Sequence, residues 1–408
     1  MLLNAYTKMS LSIQQCKTIL ERKFRGASLD DVQGISDFTV FEEAANNLLS
    51  KIDPYETVRT SEINLFNEVY DYSSPSDLKG KKVIDLRPQA DRNSTDDFRQ
   101  SFTEDFDRDK KFKDNEITVQ FDEASKFLRI NKSVSNSISV TDLEDDNYTA
   151  TSGITNIIED TILQFGDGKS IRFDVASGSN LLTWNGDSTI DLTDHEQKSN
   201  LFLNVYWPDS SVITSITLRI GSDSANYYEI TGAIQFGSVR NGVNLYKFTW
   251  DGATETGTVD IDDCDYARLA IVTTSADTDI RIGRLSSKLP TPYELVYYSN
   301  ALFRNSAGTT WLSKPTTEND LLNLETEAQN IFLGECEVII AEDLQRDEEA
   351  RKFRTRLGID DFGKFTGGGL YADYKSDKPS EAIRPNLRWY SLPRRNGRGS
   401  FWKRTNGQ

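Results

Sequence analysis

The sequence predicts an α+β multidomain protein in which a central antiparallel β-sandwich, jelly-roll-like, is flanked by N- and C-terminal helical regions. Apolar residues recur at helical spacing near both ends of the chain. Between about residues 154 and 290 the period falls to two, in short runs bounded by turn residues and without a helical pattern between them. Strands that short, with no crossover helices, stack as a sandwich or close as a barrel. On these signals the 408 residues divide into 1–115, a helical region with an extended arm; 116–153, a short β segment and linker; 154–290, the sandwich; and 291–408, a hairpin, long helices and a basic tail.

The first helix is announced by Ser12 and Gln15, the two ends of a capping box, followed by Ile13, Cys16, Ile19, Leu20 and Phe24 at helical spacing and a stop at Gly26. A second helix runs from about Phe38 to Ile52, with Ala44, Ala45, Leu48, Leu49 and Ile52 on one stripe and Pro54 ending it. Residues 71–115 are polar and interrupted by Pro75, Gly80 and Pro88, while Phe98, Phe102 and Phe106 suggest a short amphipathic helix or an extended arm. From Glu116 the residues Ile117, Val119 and Phe121 alternate with polar ones, and Phe127, Leu128 and Ile130 follow. Residues 133–153 are rich in Ser, Thr, Asp and Asn and read as a loop or linker.

Within the sandwich, strands are predicted at Leu201–Trp207, Ile213–Ile220, Val243–Trp250, Arg268–Thr273 and Asp279–Leu285, with Asn241-Gly242 as a two-residue hairpin turn. Residues 293–300 and 301–304 form a further hairpin. A long helix is expected to open near Thr317 and Asp320, with Leu321, Leu324, Ala328, Ile331, Phe332, Cys336, Ile339 and Ile340 along its stripe. A second helical piece spans about Asp347–Leu357, with Gly358 as its cap.

Net charge is −17, and it is unevenly placed. From Arg384 onward there are seven basic residues and no acid, so the remainder carries −24. A body this acidic repels nucleic acid and anionic membranes. The tail interleaves Arg388, Arg394, Arg395, Arg398 and Arg404 with Trp389 and Trp402, a composition found in protein anchors and in nucleic-acid contacts. Docking on the acidic surface of a neighbouring copy is the favoured reading, with the tail as the one segment suited to nucleic acid. Cys16, Cys264 and Cys336 are far apart and show no ligand spacing, so neither a disulfide framework nor a zinc site is expected. The start lacks the charge and apolar run of a signal peptide, and no stretch approaches the ~18 apolar residues that span a bilayer.

No pattern of catalytic residues emerges, and the chain reads as a non-enzyme. His195, the only histidine, sits in a polar turn without an accompanying GxSxG. Asp260, Asp262, Asp263 and Asp265 crowd four carboxylates into six residues, a weak suggestion of Ca²⁺ beside the reading as a solvated turn. Gly367-Gly368-Gly369 lacks the GK[ST] ending of a phosphate loop and reads as a surface loop. For a glycan hydrolase, Glu229 is the best single carboxylate. Trp184, Trp207, Tyr227, Tyr228 and Trp250 are candidates for stacking on sugars, each competing with a place in the core.

The stretch from Glu21 to Gly34 (ERKFRGASLDDVQG), continuing through Ile52 to Arg59, resembles virion proteins of tailed bacteriophages. Leu321 to Lys364 resembles the acidic helices of head–tail connectors, and the region around Ser215 to Tyr228 is similar to jelly-roll, carbohydrate-binding-like domains inserted in phage tail and neck proteins. The resemblance implies a structural component of the neck or tail, made in the host cytoplasm and assembled as a ring with copies of itself and other virion proteins, the helices burying their apolar stripes against neighbours. The alternatives are a glycan-binding adhesin or receptor-binding module and a β-sandwich glycan hydrolase. The resemblance transfers no site residues.

Overall fold

A computed structural model describes residues 10–24, 29, 32, 34–89, 99–100, 116–122, 125–132, 134, 136–165 and 168–377. Phe98, Phe102 and Phe106 lie outside the described residues, as do the tail residues Arg388, Trp389, Arg394, Arg395, Arg398, Trp402 and Arg404. The chain forms two compact units, one of residues 1–61, 75–85 and 296–408, the other of residues 62–74 and 86–295. The predicted fold class is the one observed: two-layered antiparallel β structure within a chain that also carries a helical core.

In the first unit, helices from both ends of the sequence share one core. Helix α1 (Ile13–Lys23) begins with the predicted capping box: Ser12 Oγ accepts from Gln15 N at 3.1 Å, and Gln15 Oε1 accepts from Ser12 N at 2.9 Å. Helix α2 (Thr39–Lys51) buries Val40, Phe41, Ala44, Ala45, Leu48 and Leu49. Helix α3 (Thr326–Asp343) is buried on almost every side, as a helix at the centre of a core must be. Helix α4 (Asp347–Leu357) ends at Gly358, whose φ of 85° only glycine adopts without strain. Helix α5 (Leu370–Asp377) completes the set. Phe41 stacks on Phe332 with ring centroids 6.4 Å apart, and Phe24 meets Phe353 edge-on at 5.8 Å. The apolar stripes of these helices meet one another inside the chain and share one core.

Two sequence expectations in this unit are corrected. Helix α3 starts at Thr326, not near Thr317. The Asp320 carboxylate accepts the backbone N–H groups of Thr316 and Thr317 at 2.7 and 2.9 Å and closes a turn there. Leu321–Leu322 then pairs with Leu11–Ser12 and with Phe303–Arg304 as a strand. The predicted hairpin partner of Phe303–Arg304 is replaced by Trp311–Leu312. The Gly367–Gly369 run lies at the surface as read, with Gly367 and Gly368 exposed, and its last glycine meets Gly358 in a close backbone crossing: a Cβ on Gly358 would lie 1.6 Å from Gly368 O, and one on Gly369 2.5 Å from Gly358 N.

The second unit contains the sandwich. Its strands are β1 (Tyr148–Ser152), β2 (Ile154–Asp160), β3 (Ser170–Val175), β4 (Gly178–Ile190), β5 (Asn200–Trp207), β6 (Ile213–Gly221), β7 (Tyr227–Ile234), β8 (Gly242–Thr249), β9 (Cys264–Thr273) and β10 (Asp277–Ile282). One layer runs β2-β3-β10-β5-β8-β7 and the other β7-β6-β9-β4-β1. Strand β7 belongs to both: Thr231 and the residues before it pair with β6, and Gly232 onward pairs with β8. At this switch a Cβ on Gly232 would come within 2.6 Å of the Phe248 ring. Alternation places Leu201, Leu203, Val205 and Trp207 of β5 against Leu218 and Leu269 of the facing layer.

Two local readings change here as well. Tyr148–Ser152, taken as linker, is a strand paired with β4; four of its five residues are exposed, which hides the alternation of an edge strand. Asn241-Gly242 is not a two-residue turn. The β7–β8 connection spans residues 235–241, and the Asn244 side chain closes it, accepting from Arg240 N at 3.0 Å and donating to Arg240 O at 2.7 Å. No described helix is long and apolar enough to cross a membrane.

Candidate functional site

Side chains of β5 and β8 that do not enter the core point to the other face of their layer. The register sets Asn204 opposite Leu245, and Phe202 opposite Lys247. Over this face lies a small sheet in which Asp71–Ser73 pairs with Ser125–Asn131, itself the second arm of a hairpin with Glu116–Asp122. Between them is a cleft of about 590 Å³, inside the range of ordinary ligand sites.

The cleft has aromatic walls. Phe127 from the hairpin stacks on Phe236 of the β7–β8 loop with centroids 4.7 Å apart. Phe202 on the floor is covered by Phe66 at 5.0 Å. Phe165 lies on Gly283, where a Cβ would meet it at 2.9 Å, so glycine at 283 is what lets this ring reach the cleft. Tyr70, 43% exposed, and Val243 leave apolar surface open to solvent at the site. Burial raises the Tyr70 hydroxyl pKa, with Glu68 adding to the effect, so the phenol remains a neutral donor.

Polar groups stand between the rings. Gln235 Nε2 donates to Asp71 O at 3.5 Å. Arg129 Nε lies 3.5 Å from Asp71 Oδ1, and Lys288 Nζ donates to Asn67 O at 2.7 Å. Arg284 donates to Ser139 Oγ at 3.2 Å, and Arg240, Asn204, Ser238 and Ser286 also line the cavity. Flat apolar surfaces beside fixed donors and acceptors suit a ligand with C–H faces and hydroxyl edges.

The tryptophans singled out in the sequence lie elsewhere. Trp184, Trp207 and Trp250 all point into the core between the layers, because alternation turns them inward. Trp207 Nε1 donates to Tyr246 Oη at 3.1 Å, and Trp250 Nε1 to Ser199 Oγ at 3.2 Å. Tyr227 and Tyr228 are half-buried on the β7 segment that joins the other layer. Arg219 lies over the Tyr227 ring at 4.5 Å, and Tyr228 donates to Glu196 at 2.8 Å. Glu229, the candidate hydrolase carboxylate, accepts from Arg219 Nε at 2.6 Å and does not line the cleft. The cleft aromatics were missed because Tyr70, Phe127, Phe165 and Phe236 come from four separate segments, which only the fold brings together.

His195 is buried, and its Nδ1 lies 2.9 Å from Ser287 Oγ, which in turn is 2.7 Å from Ser199 Oγ. This is a nucleophile and base by distance, but Ser287 has no exposed surface through which a substrate could reach it. Burial lowers the His195 pKa, so the ring is held neutral. At the acidic turn, Asp262 hydrogen-bonds Asp260 and raises its pKa. Among the described residues no group of three or more His, Cys, Asp or Glu side chains converges as metal ligands.

No family model matches the chain, and no curated protein does. Solved structures give slight likenesses. The family 30 carbohydrate-binding module of a cellulosomal cellulase of Clostridium thermocellum is 10% identical with a TM-score of 0.30, over 37% of this chain and 96% of that one. An exo-β-agarase is 11% identical with a TM-score of 0.27, over 37% of this chain and 24% of that one. A carbohydrate-binding module of the β-sandwich superfamily is 11% identical with a TM-score of 0.24, over 57% of this chain and 97% of that one. Scores so far below one half say nothing of role. Neither these matches nor the fold shows a phage origin.

Proposed function

We propose that the second unit is a glycan-binding module that holds sugar in the cleft between the β5–β8 face and the small sheet, without chemical turnover. The supporting observation is the lining: Tyr70, Phe127, Phe165 and Phe236 in one cavity with amide, hydroxyl and guanidinium groups. A pyranose presents an apolar face of C–H bonds and a rim of hydroxyls. Aromatic faces attract the polarised C–H bonds, while fixed polar groups select among the hydroxyls.

The test is calorimetric titration of the full chain with a panel of neutral and acidic oligosaccharides, beside the Tyr70→Ala variant. Tyr70 is exposed enough that its loss should leave the melting temperature unchanged, and binding should weaken about tenfold, equivalent to about 1.4 kcal/mol. Absence of binding across the panel, or affinity unaltered by Tyr70→Ala, would overturn the proposal.

A further inference from the structure

We infer that the sugar taken by this cleft is anionic, a polysaccharide bearing carboxylate or sulfate groups. This rests on the glycan reading of the same cleft and adds the ligand's charge. The described residues lining the cavity include four cations, Arg129, Arg240, Arg284 and Lys288, against two acids, Glu68 and Asp71. That positive balance occurs in a chain of net charge −17. A patch of the opposite sign to the rest of the molecule is where an anion is drawn, and low-dielectric walls focus its field.

The cations also come from separate elements. Arg129 is on the hairpin above the face, Arg240 is in the β7–β8 loop, and Arg284 and Lys288 follow β10. Charges distributed in this way fit a chain with acidic groups on successive sugars better than a single free anion. Guanidinium groups present a planar fork of donors that matches both carboxylate and sulfate. Neutral Asn204, Gln235 and Ser238 lie between them for hydroxyl contacts.

The experiment uses the full chain with dextran, dextran sulfate and polygalacturonate, each at low and high salt. Dextran sulfate carries sulfate esters on the same glucan backbone as dextran, and polygalacturonate offers carboxylates instead. At least one anionic polymer should bind ten or more times tighter than dextran, and its affinity should fall as salt rises. Arg240 is an exposed loop residue, so Arg240→Ala should keep the melting temperature and weaken anionic binding several-fold, with Arg240→Lys recovering part of it. Dextran bound as tightly as both dextran sulfate and polygalacturonate would overturn the anionic inference and leave the glycan reading standing. Failure to bind any glycan would overturn both. Polyanion binding that survives both Tyr70→Ala and Arg240→Ala lies outside the cleft, for instance on the basic tail, and also overturns the inference.

Discussion

The two units differ in where their largest charged clusters lie. In the helical unit, Glu335 and Glu337 sit on the central helix α3 with almost no exposed surface. Lys51 Nζ lies 3.2 Å from Glu335, and Tyr371 Oη donates to it at 2.6 Å; Arg356 donates to Glu337 at 2.6 Å. Every one of these partners comes from another helix or its end, so the charges tie the core together. In the sandwich unit the core between the layers is built of apolar and aromatic side chains; one buried ion pair, Arg281 with Asp160 at 2.6 Å, joins β10 to the end of β2, and a separate set of charged groups lines an open cavity on an outer face. Buried polar clusters alone do not mark a site. A candidate site also needs space that a ligand can enter.

The contrast can be broken from either side. The largest effect is expected at Trp207, fully buried between the sheets: Trp207→Ala should cost about 4 kcal/mol by losing packing and the hydrogen bond to Tyr246, read as a lower denaturation midpoint. Next comes Glu335→Ala, which strands the Lys51 ammonium and the Tyr371 hydroxyl in a buried setting. A loss of about 3 kcal/mol is expected by denaturant titration, and a loss below 1 kcal/mol would show the cluster to be solvated. The smallest effect is a pH dependence. The pKa of His195 is lower in the folded state than the ordinary 6.5, so the unfolded chain binds more protons just below that value. Its contribution is present above pH 6.5 and is lost as pH falls from there toward the folded pKa. His195→Asn should flatten the decline of melting temperature between pH 7 and 5, and an identical decline in both proteins would exclude His195 as its source.

Much of the fold could be read from sequence because periodicity reports burial directly. The capping box at Ser12 and Gln15, the stop at Gly358 and the alternation through β5, β6 and β8 each follow from neighbours in the chain. What stayed hidden depended on distant partners. Leu321–Leu322 carries a helical-looking stripe but is held as a strand by Leu11–Ser12. Tyr148–Ser152 looks like linker because an edge strand exposes most of its side chains. The cleft was least legible of all. Its aromatics are single residues in unrelated segments, whereas the conspicuous tryptophans of the sandwich strands serve the interior.

The shared strand β7 has a consequence for self-association. By crossing between layers at Gly232 it joins the two layers on one side of the sandwich through continuous pairing, as a barrel wall is closed. The path of strands that makes the sandwich ends at β2 and β1, consecutive in the chain. Strand β1 is short and polar, and the pairing of β2 with β3 carries a register shift between Thr155 and Ile158. Both are poor templates for an added strand, so the sandwich is guarded against fibrillar stacking by continuous pairing at the β7 crossing and by irregular, hydrophilic strands at the ends of its path.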